Sequence, residues 1–207
     1  MLRMGPFPKN KFELKYSNIA PSVIKNLQDL KRTGWVNRGV KTPESVQEHI
    51  VATRNLVISE IDSITEFSSL ELEELLDMLE IHDWPESDET VGDLIILKTN
   101  TDKESLKKEK YKLELRAMTK ICEKLGDKGK RIFELWMRFE NGQDHISSFA
   151  RQIDKYQAME KAFEYEQNGE KVSTQEFIKH DEEKIIHPIL VKRLQVLKQK
   201  LPKESLD

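Results

Sequence analysis

Four residues in three separate segments have the types and the local spacing of a metal site: His49, the adjacent pair His82 and Asp83, and Asp154. Residues three, four and seven apart share one face of a helix, so each candidate is tested against the apolar stripe of its own segment. His49 follows Val46 by three and precedes Thr53 by four and Leu56 by seven, which turns it inward and away from Gln47, Arg54 and Asn55. Leu72, Leu76, Leu79 and Asp83 are spaced by four, three and four, so an inward stripe runs straight into Asp83, with His82 three after Leu79. Asp154 borders Ala150 and Ile153 and has Lys155 and Gln157 as polar neighbours.

Burying a lone carboxylate costs on the order of several kcal/mol unless it is paired or neutralised. Two acids and two imidazoles turned into one interior are hard to satisfy without a divalent cation, which would hold all four. Mixed imidazole and carboxylate ligation suits Mn, Co, Fe, Ni or Zn better than Mg or Ca. Each residue alone also has a plainer reading: His49 as a hydrogen-bonded core histidine, His82 and Asp83 as an ordinary helix end. The run HDWPESDETVGD, residues 82–93, adds further acids at the same place. Glu86 lies one turn beyond Asp83, where a carboxylate near a metal can orient water or carry a proton without being a ligand. A solvent-exposed acid after a helix end is the alternative.

These residues need helices to position them, and the sequence reads as helix nearly throughout. Gly and Pro are scarce, β-branched runs are short, and apolar residues recur at three and four, so the expected class is all-α. A first helix is expected from Pro21 to near Gly34 and is followed by a loop carrying Trp35 and Arg38. Thr42 as N-cap and Pro43 as first residue open the helix of His49. SSLELEELLDMLEIHDW forms a third helix that stops before Pro85, and Asp93 to about Asp102 is a loop in which LIIL is a short apolar cover. Lys103 to Leu125 is a long charged helix, GDKGK breaks it, and RIFELWMRFENG and DHISSFARQIDKYQAMEKAFEYE are two more. Ser173 and Glu176 match a capping box, and HPILVKRLQVLKQKL is a closing amphipathic helix.

Composition sets the outer bounds. The 207 residues suit one domain, with a core over about 21–167 and a C-terminal helical extension over 168–207. With 34 basic and 37 acidic residues, the net charge of −3 provides no basic field for a nucleic acid polymer or an anionic membrane. The expected partner is a small molecule. The single cysteine, Cys122, fits a reducing compartment, for which cytoplasm is the default. MLRMGPFPKN has no apolar core of a signal peptide, and no segment is apolar for the length of a membrane span.

The order His49, His82-Asp83, Asp154 resembles the H…HD…D signature of the HD-domain metal-dependent phosphohydrolases, whose fold is a helical bundle with a divalent metal between helices. More locally, LKRTGWVNRGVKTPESVQEH, IHDWPES with the later Gly92-Asp93, LWMRFENG and ARQIDKYQAMEKAFEYE resemble the 5′-deoxynucleotidase branch, the YfbR- and HDDC2-like proteins, over most of residues 21–167. The resemblance implies a metal held by His49, His82, Asp83 and Asp154, phosphate-monoester hydrolysis of a nucleotide, and a homodimer.

It also favours the loop before the first histidine as substrate-binding. Arg32 and Arg38 pair there with phosphate and Trp35 packs on base or sugar; the alternatives are an exposed helix-end Arg32, a surface Arg38 and a core Trp35. Lys155, beside a metal aspartate, faces phosphate. Asp93 accepts from the sugar 3′-hydroxyl or assists acid/base work if the two extra residues of this chain lie within Ser87 to Thr90; otherwise Asp88 takes that place. A second metal is not expected, because His145, His180 and His187 read as peripheral. The competing class is a non-catalytic helical interaction module that presents LIIL and the last helix as contact surfaces.

Overall fold

The computed structural model describes residues 14–96 and 102–201. The opening MLRMGPFPKN stretch and residues 97–101 of the expected cover and loop lie outside the described residues. Those described form helices and no strand: α1 Pro21–Asp29, α2 Thr33–Val36, α3 Val46–Ser59, α4 Ser69–Ile81, α5 Lys103–Lys124, α6 Asp127–Asn141, α7 His145–Gln167, α8 Thr174–Asp181 and α9 Pro188–Lys200, with a 3-10 turn at Trp84–Ser87 and another at Glu182–Lys184.

The centre of the bundle is α4, which packs against α3, α6 and α7. Its Leu72, Leu75, Met78, Leu79 and Ile81 are fully buried, and Ser68 and Glu71 close a capping box at its start. Two of its acidic residues, Asp77 and Glu80, are buried too. Glu80 takes the Arg54 guanidinium at 2.8 Å and the backbone N–H groups of Lys15 and Tyr16 at 2.8 and 2.6 Å, while Asp77 accepts from Tyr16 Oη at 2.8 Å. Gln47 and Arg54, expected on an outward face of α3, are therefore interior; Arg54 is kept there by Glu80 and by the Leu76 carbonyl at 2.8 Å. A buried ion pair is tolerated when its remaining donors and acceptors are satisfied.

Two boundaries differ from expectation, and one non-local contact explains both. α1 ends at Asp29, not near Gly34, because Leu30 turns extended and the next residue forms an antiparallel bridge, Lys31 to Ser45. Arg32 N–H donates to Glu44 O at 3.0 Å and Val46 N–H to Leu30 O at 2.9 Å. Thr42, Pro43 and Glu44 are thus drawn into this pairing. α3 starts at Val46 behind Ser45, whose hydroxyl accepts from Glu48 N–H while the Glu48 carboxylate takes the Ser45 N–H. Trp35 lies in the one-turn α2, where a plain loop was expected.

The break between α5 and α6 is also narrower than GDKGK. It occupies Leu125 and Gly126, and α6 already includes Gly129, where an added Cβ would stand 1.9 Å from the Cys122 carbonyl oxygen. A hydrogen at that position lets α5 and α6 touch backbone to backbone. α7 and α9 start and end close to the expected residues. Ser173 caps α8 through Glu176 N–H at 3.4 Å. From the last two α-helices, Ile178, Leu190, Leu194 and Leu197 join the same apolar cluster as α4.

Candidate metal centre

Each helix delivers its residue by a traceable route. Ser45 sets the register of α3 so that His49 sits one turn in with no exposure. α4 ends at Ile81, which leaves His82 as C-cap and Asp83 as the residue before the 3-10 turn; Trp136 Nε1–H holds the His82 carbonyl at 3.2 Å, and the fully buried Trp84 anchors the turn. α7 begins at a strong cap, with the Asp144 carboxylate taking Ile146 and Ser147 N–H at 3.1 and 3.0 Å, and places Asp154 at mid-helix.

The four side chains meet at one focus. His49 Nε2 and His82 Nε2 are 3.4 Å apart; Asp83 Oδ2 stands 3.2 Å from His82 Nε2 and 3.7 Å from His49 Nε2; Asp154 Oδ1 stands 3.1 Å from His49 Nε2 and 3.9 Å from His82 Nε2. Ligand atoms about 2.1 Å from one ion and 90–120° apart are separated by roughly 3.0–3.6 Å. His49, His82 and Asp83 offer ligand atoms all within 4.8 Å of one another, a group able to hold one divalent cation, and Asp154 stands beside it against the two imidazoles.

The ring nitrogens are set for it. His82 Nδ1–H donates to the Leu79 carbonyl at 2.9 Å, an acceptor only, which leaves Nε2 as the nitrogen turned toward the focus. His49 Nδ1 faces Gln157 Oε1 at 2.6 Å. Charges alter the protons as well: burial alone would lower the His82 imidazole, but Asp83 prevails and pushes it up to about 9. For Asp83, burial acts upward and is overcome by His82, His49 and Arg32, which hold the carboxyl well below its usual range.

A cavity of about 390 Å³ opens on the focus and is lined by His82, Asp83, Glu86 and Asp154 on one side and by Lys110 and Lys155 among its cations. Cationic side chains and the candidate metal ligands thus share one space. Glu86 is 6% exposed with Oε2 buried and unpartnered among the described residues, and burial, then Asp83 and Asp93, hold its carboxyl well above the ordinary value.

The HD domain family model matches residues 24–191, a span that includes all four candidate ligands. The chain belongs to the HD-domain family. Among relatives, 5′-deoxynucleotidase HDDC2 of Dictyostelium discoideum is 35% identical over 79% of this chain and 86% of its own length. 5′-deoxynucleotidase HDDC2 of Homo sapiens is 31% identical over 82% and 78%, and 5′-deoxynucleotidase hdd1 of Schizosaccharomyces pombe 30% over 72% and 72%. A conserved hypothetical protein from Pyrococcus furiosus shares the fold at TM-score 0.66 and 22% identity, covering 88% of this chain and 98% of that one. A protein from Pyrococcus horikoshii OT3 does so at 0.64 and 21%, covering 88% and 96%.

Within this HD domain the residues expected around the metal divide into two groups. Arg32 faces it: Nη1 lies 3.3 Å from Asp83 Oδ2, and although burial works against its charge, Asp83, Asp93, Glu86 and Asp154 raise its pKa. Asp93 takes the Thr33 N–H, next in the chain to Arg32. Asp88 instead caps its own turn through Thr90 N–H at 3.0 Å and Oγ1 at 2.6 Å and lies 3.6 Å from Lys120, so of the two alternatives Asp93 is the one beside Arg32 and Glu86. Lys155 Nζ is 3.9 Å from Asp154 Oδ2 and lines the cavity.

Trp35 and Arg38 do not reach it. Trp35 is 2% exposed, stacked on Phe177 at 4.9 Å and edge-on to Tyr165 at 5.1 Å, which leaves no face for a base or sugar. Arg38 is occupied by the Gly34 carbonyl at 3.0 Å, Glu176 at 3.8 Å and the Phe177 ring at 4.7 Å, away from the cavity. The plainer readings of these two residues fit their surroundings, because the one-turn α2 directs both toward α8. His145, His180 and His187 pair with Glu71, Asp181 and Glu66, outside the ligand cluster.

Sequence reasoning missed Lys110, Glu114, Glu140 and Arg151, all at the cavity wall. Lys110 Nζ is 3.8 Å from Glu86, 3.3 Å from Glu114 and 2.8 Å from the Leu94 carbonyl. Their positions in α5, α6 and α7 carried the only signal, and in α5 nearly every face is charged. Gln157 had a better one, at three after Asp154 on the same helix face.

Proposed function

We propose that this HD-domain protein is a metal-dependent 5′-deoxynucleotidase that hydrolyses deoxyribonucleoside 5′-monophosphates to deoxynucleoside and phosphate. The observation that carries the reading is the convergence of His49, His82, Asp83 and Asp154 on one focus at the wall of a cavity lined by lysines and Glu86. The relatives named 5′-deoxynucleotidase support the substrate class.

His49, His82, Asp83 and Asp154 hold the cation, with Mn, Co, Fe, Ni or Zn fitting the donors. A divalent ion there supplies a Lewis acid for the phosphoryl oxygens and makes water a better nucleophile near neutral pH. Arg32 and Lys155 bind the phosphoryl group, the guanidinium by its fork and the ammonium as a point charge. Glu86, whose carboxyl is held well above its ordinary value by burial and by Asp83 and Asp93, orients the attacking water or supplies the proton that the leaving 5′-oxygen needs. Asp93 accepts from the sugar 3′-hydroxyl, anchored beside Arg32 through Thr33 N–H. One water is consumed, the P–O5′ bond breaks, and the alcohol leaves with the proton.

The same reading takes the chain as one domain acting in the cytoplasm as a homodimer. The core shared by α4 and the last helices supports the first part, the unpaired Cys122 the second, and the family resemblance the third. No helix among the described residues is long and apolar enough to cross a membrane.

The test is phosphate release from the five common deoxynucleoside monophosphates and the matching ribonucleotides, using metal-stripped protein resupplied with Co, Mn, Zn or Mg. Metal-dependent turnover of the deoxynucleotides, lost in His82→Ala and Asp83→Ala, is expected. A folded, metal-loaded protein that releases phosphate from none of them would overturn the assignment.

A further inference from the structure

We infer that Trp35, Glu44 and Gln157 form a hydrogen-bond relay that fixes the tautomer and aim of His49 and thereby sets the affinity of the metal centre; this rests on the metal reading above. The argument starts at the far end. Trp35 Nε1 has only a proton to give, and it gives it to Glu44 Oε1 at 3.0 Å. The Glu44 carboxylate is 5% exposed and accepts at its other oxygen from Gln157 Nε2 at 3.4 Å.

An amide has one donor end and one acceptor end. With Nε2 committed to a carboxylate, Gln157 must present Oε1 to His49, and it does so at 2.6 Å from Nδ1. The imidazole therefore carries a proton on Nδ1, and Nε2 is the nitrogen left to face Asp154 and the other ligands. Flipping the amide would set Oε1 against Glu44, so the orientation follows from the network.

The relay is also mechanically held. Trp35 is pinned between Tyr165 and Phe177, and the Glu44 backbone N–H donates to Tyr165 Oη at 2.7 Å. The Glu44 carbonyl accepts Arg32 N–H at 3.0 Å, so the segment that fixes His49 also carries the guanidinium facing Asp83. Trp35 thus acts on the centre through three other side chains, and none of the relay residues touches substrate. They are positioning residues. A partner on the second nitrogen of a metal-bound imidazole commonly changes metal affinity by about ten- to a hundredfold.

The experiment measures Co(II) affinity by competition with a chelator, the Co(II) visible spectrum and the thermal midpoint of metal-stripped protein, for wild type, Gln157→Met and Trp35→Phe. Met keeps the length of Gln157 without its acceptor; Phe keeps the ring of Trp35 without its N–H. The relay predicts Co(II) binding about ten- to a hundredfold weaker in Gln157→Met, weaker by a few fold in Trp35→Phe, and a shifted Co(II) spectrum in both, with losses that do not track the metal-free midpoints. If Gln157→Met does not fold, Trp35→Phe decides the matter. Unchanged affinity and spectrum in the folded variants would overturn the relay while leaving the metal site standing. Wild type that takes up no Co(II) would instead refute the metal reading itself.

Discussion

Arg32 Nη1 lies 3.3 Å from Asp83 Oδ2, the same oxygen that stands 3.2 Å from His82 Nε2. One carboxylate oxygen thus joins the candidate metal ligands to the Arg32 guanidinium, the group proposed to bind the phosphoryl oxygens. Removing the guanidinium leaves the ligand set intact and takes one positive charge away from a cation site. Arg32→Ala is expected to lower kcat/KM for a deoxynucleotide by about a hundredfold or more, with metal content no lower than in wild type. Steady-state kinetics beside metal analysis checks this, and a variant that loses metal in parallel with activity would mean that Arg32 serves the ligands alone.

Glu86 is buried, with one oxygen lacking a partner among the described residues. Glu86→Gln keeps its size and removes its proton chemistry. A drop in kcat of about a hundredfold, with metal bound and KM little altered, is the expected result. Wild-type kcat in the variant would assign this acid a packing role.

Glu114 supplies a pH signature. Its burial, reinforced by Glu140 and Asp83 against Lys110, pushes its carboxyl up from 4.5 to about 7. The folded state therefore binds this proton more tightly than the unfolded chain, so the contribution is whole below pH 4.5 and is lost as pH rises through 7. In metal-stripped protein, Glu114→Gln should gain stability over wild type between those limits and level off above them. Urea unfolding at a series of pH values tests this; parallel curves for the two proteins would refute it.

At Gly129 a methyl group would lie 1.9 Å from the Cys122 carbonyl oxygen, which belongs to the backbone and cannot swing aside. Gly129→Ala forces α5 away from α6, and a loss of about 1–3 kcal/mol is expected in urea unfolding. No loss would mean that the two helices part at little cost.

The convergence of the candidate metal ligands was the most legible part of the chain. The stripe of Leu72, Leu76 and Leu79 led into Asp83, and a buried helix keeps such a pattern wherever its neighbours come from. Fold class was legible for the same reason. The start of α3 was not, because TPES holds two acceptable caps, and the pairing of Lys31 with Ser45 that chooses Ser45 is a contact between distant residues. Trp35 was ambiguous on chemical grounds, since an indole suits a nucleobase and a core equally well until Phe177 and Tyr165 are placed around it. Lys110 escaped notice because α5 carries charge on most faces, and only its packing against the Trp84–Ser87 turn tells which lysine meets Glu86.

The most direct test of the account is turnover of dAMP by metal-stripped protein as Co(II) is returned, in wild type and in Asp154→Ala. The account predicts no phosphate release without metal, recovery as the metal binds, and at least a hundredfold less in the variant at the same metal concentration. Turnover that survives both metal stripping and the loss of Asp154 would contradict it.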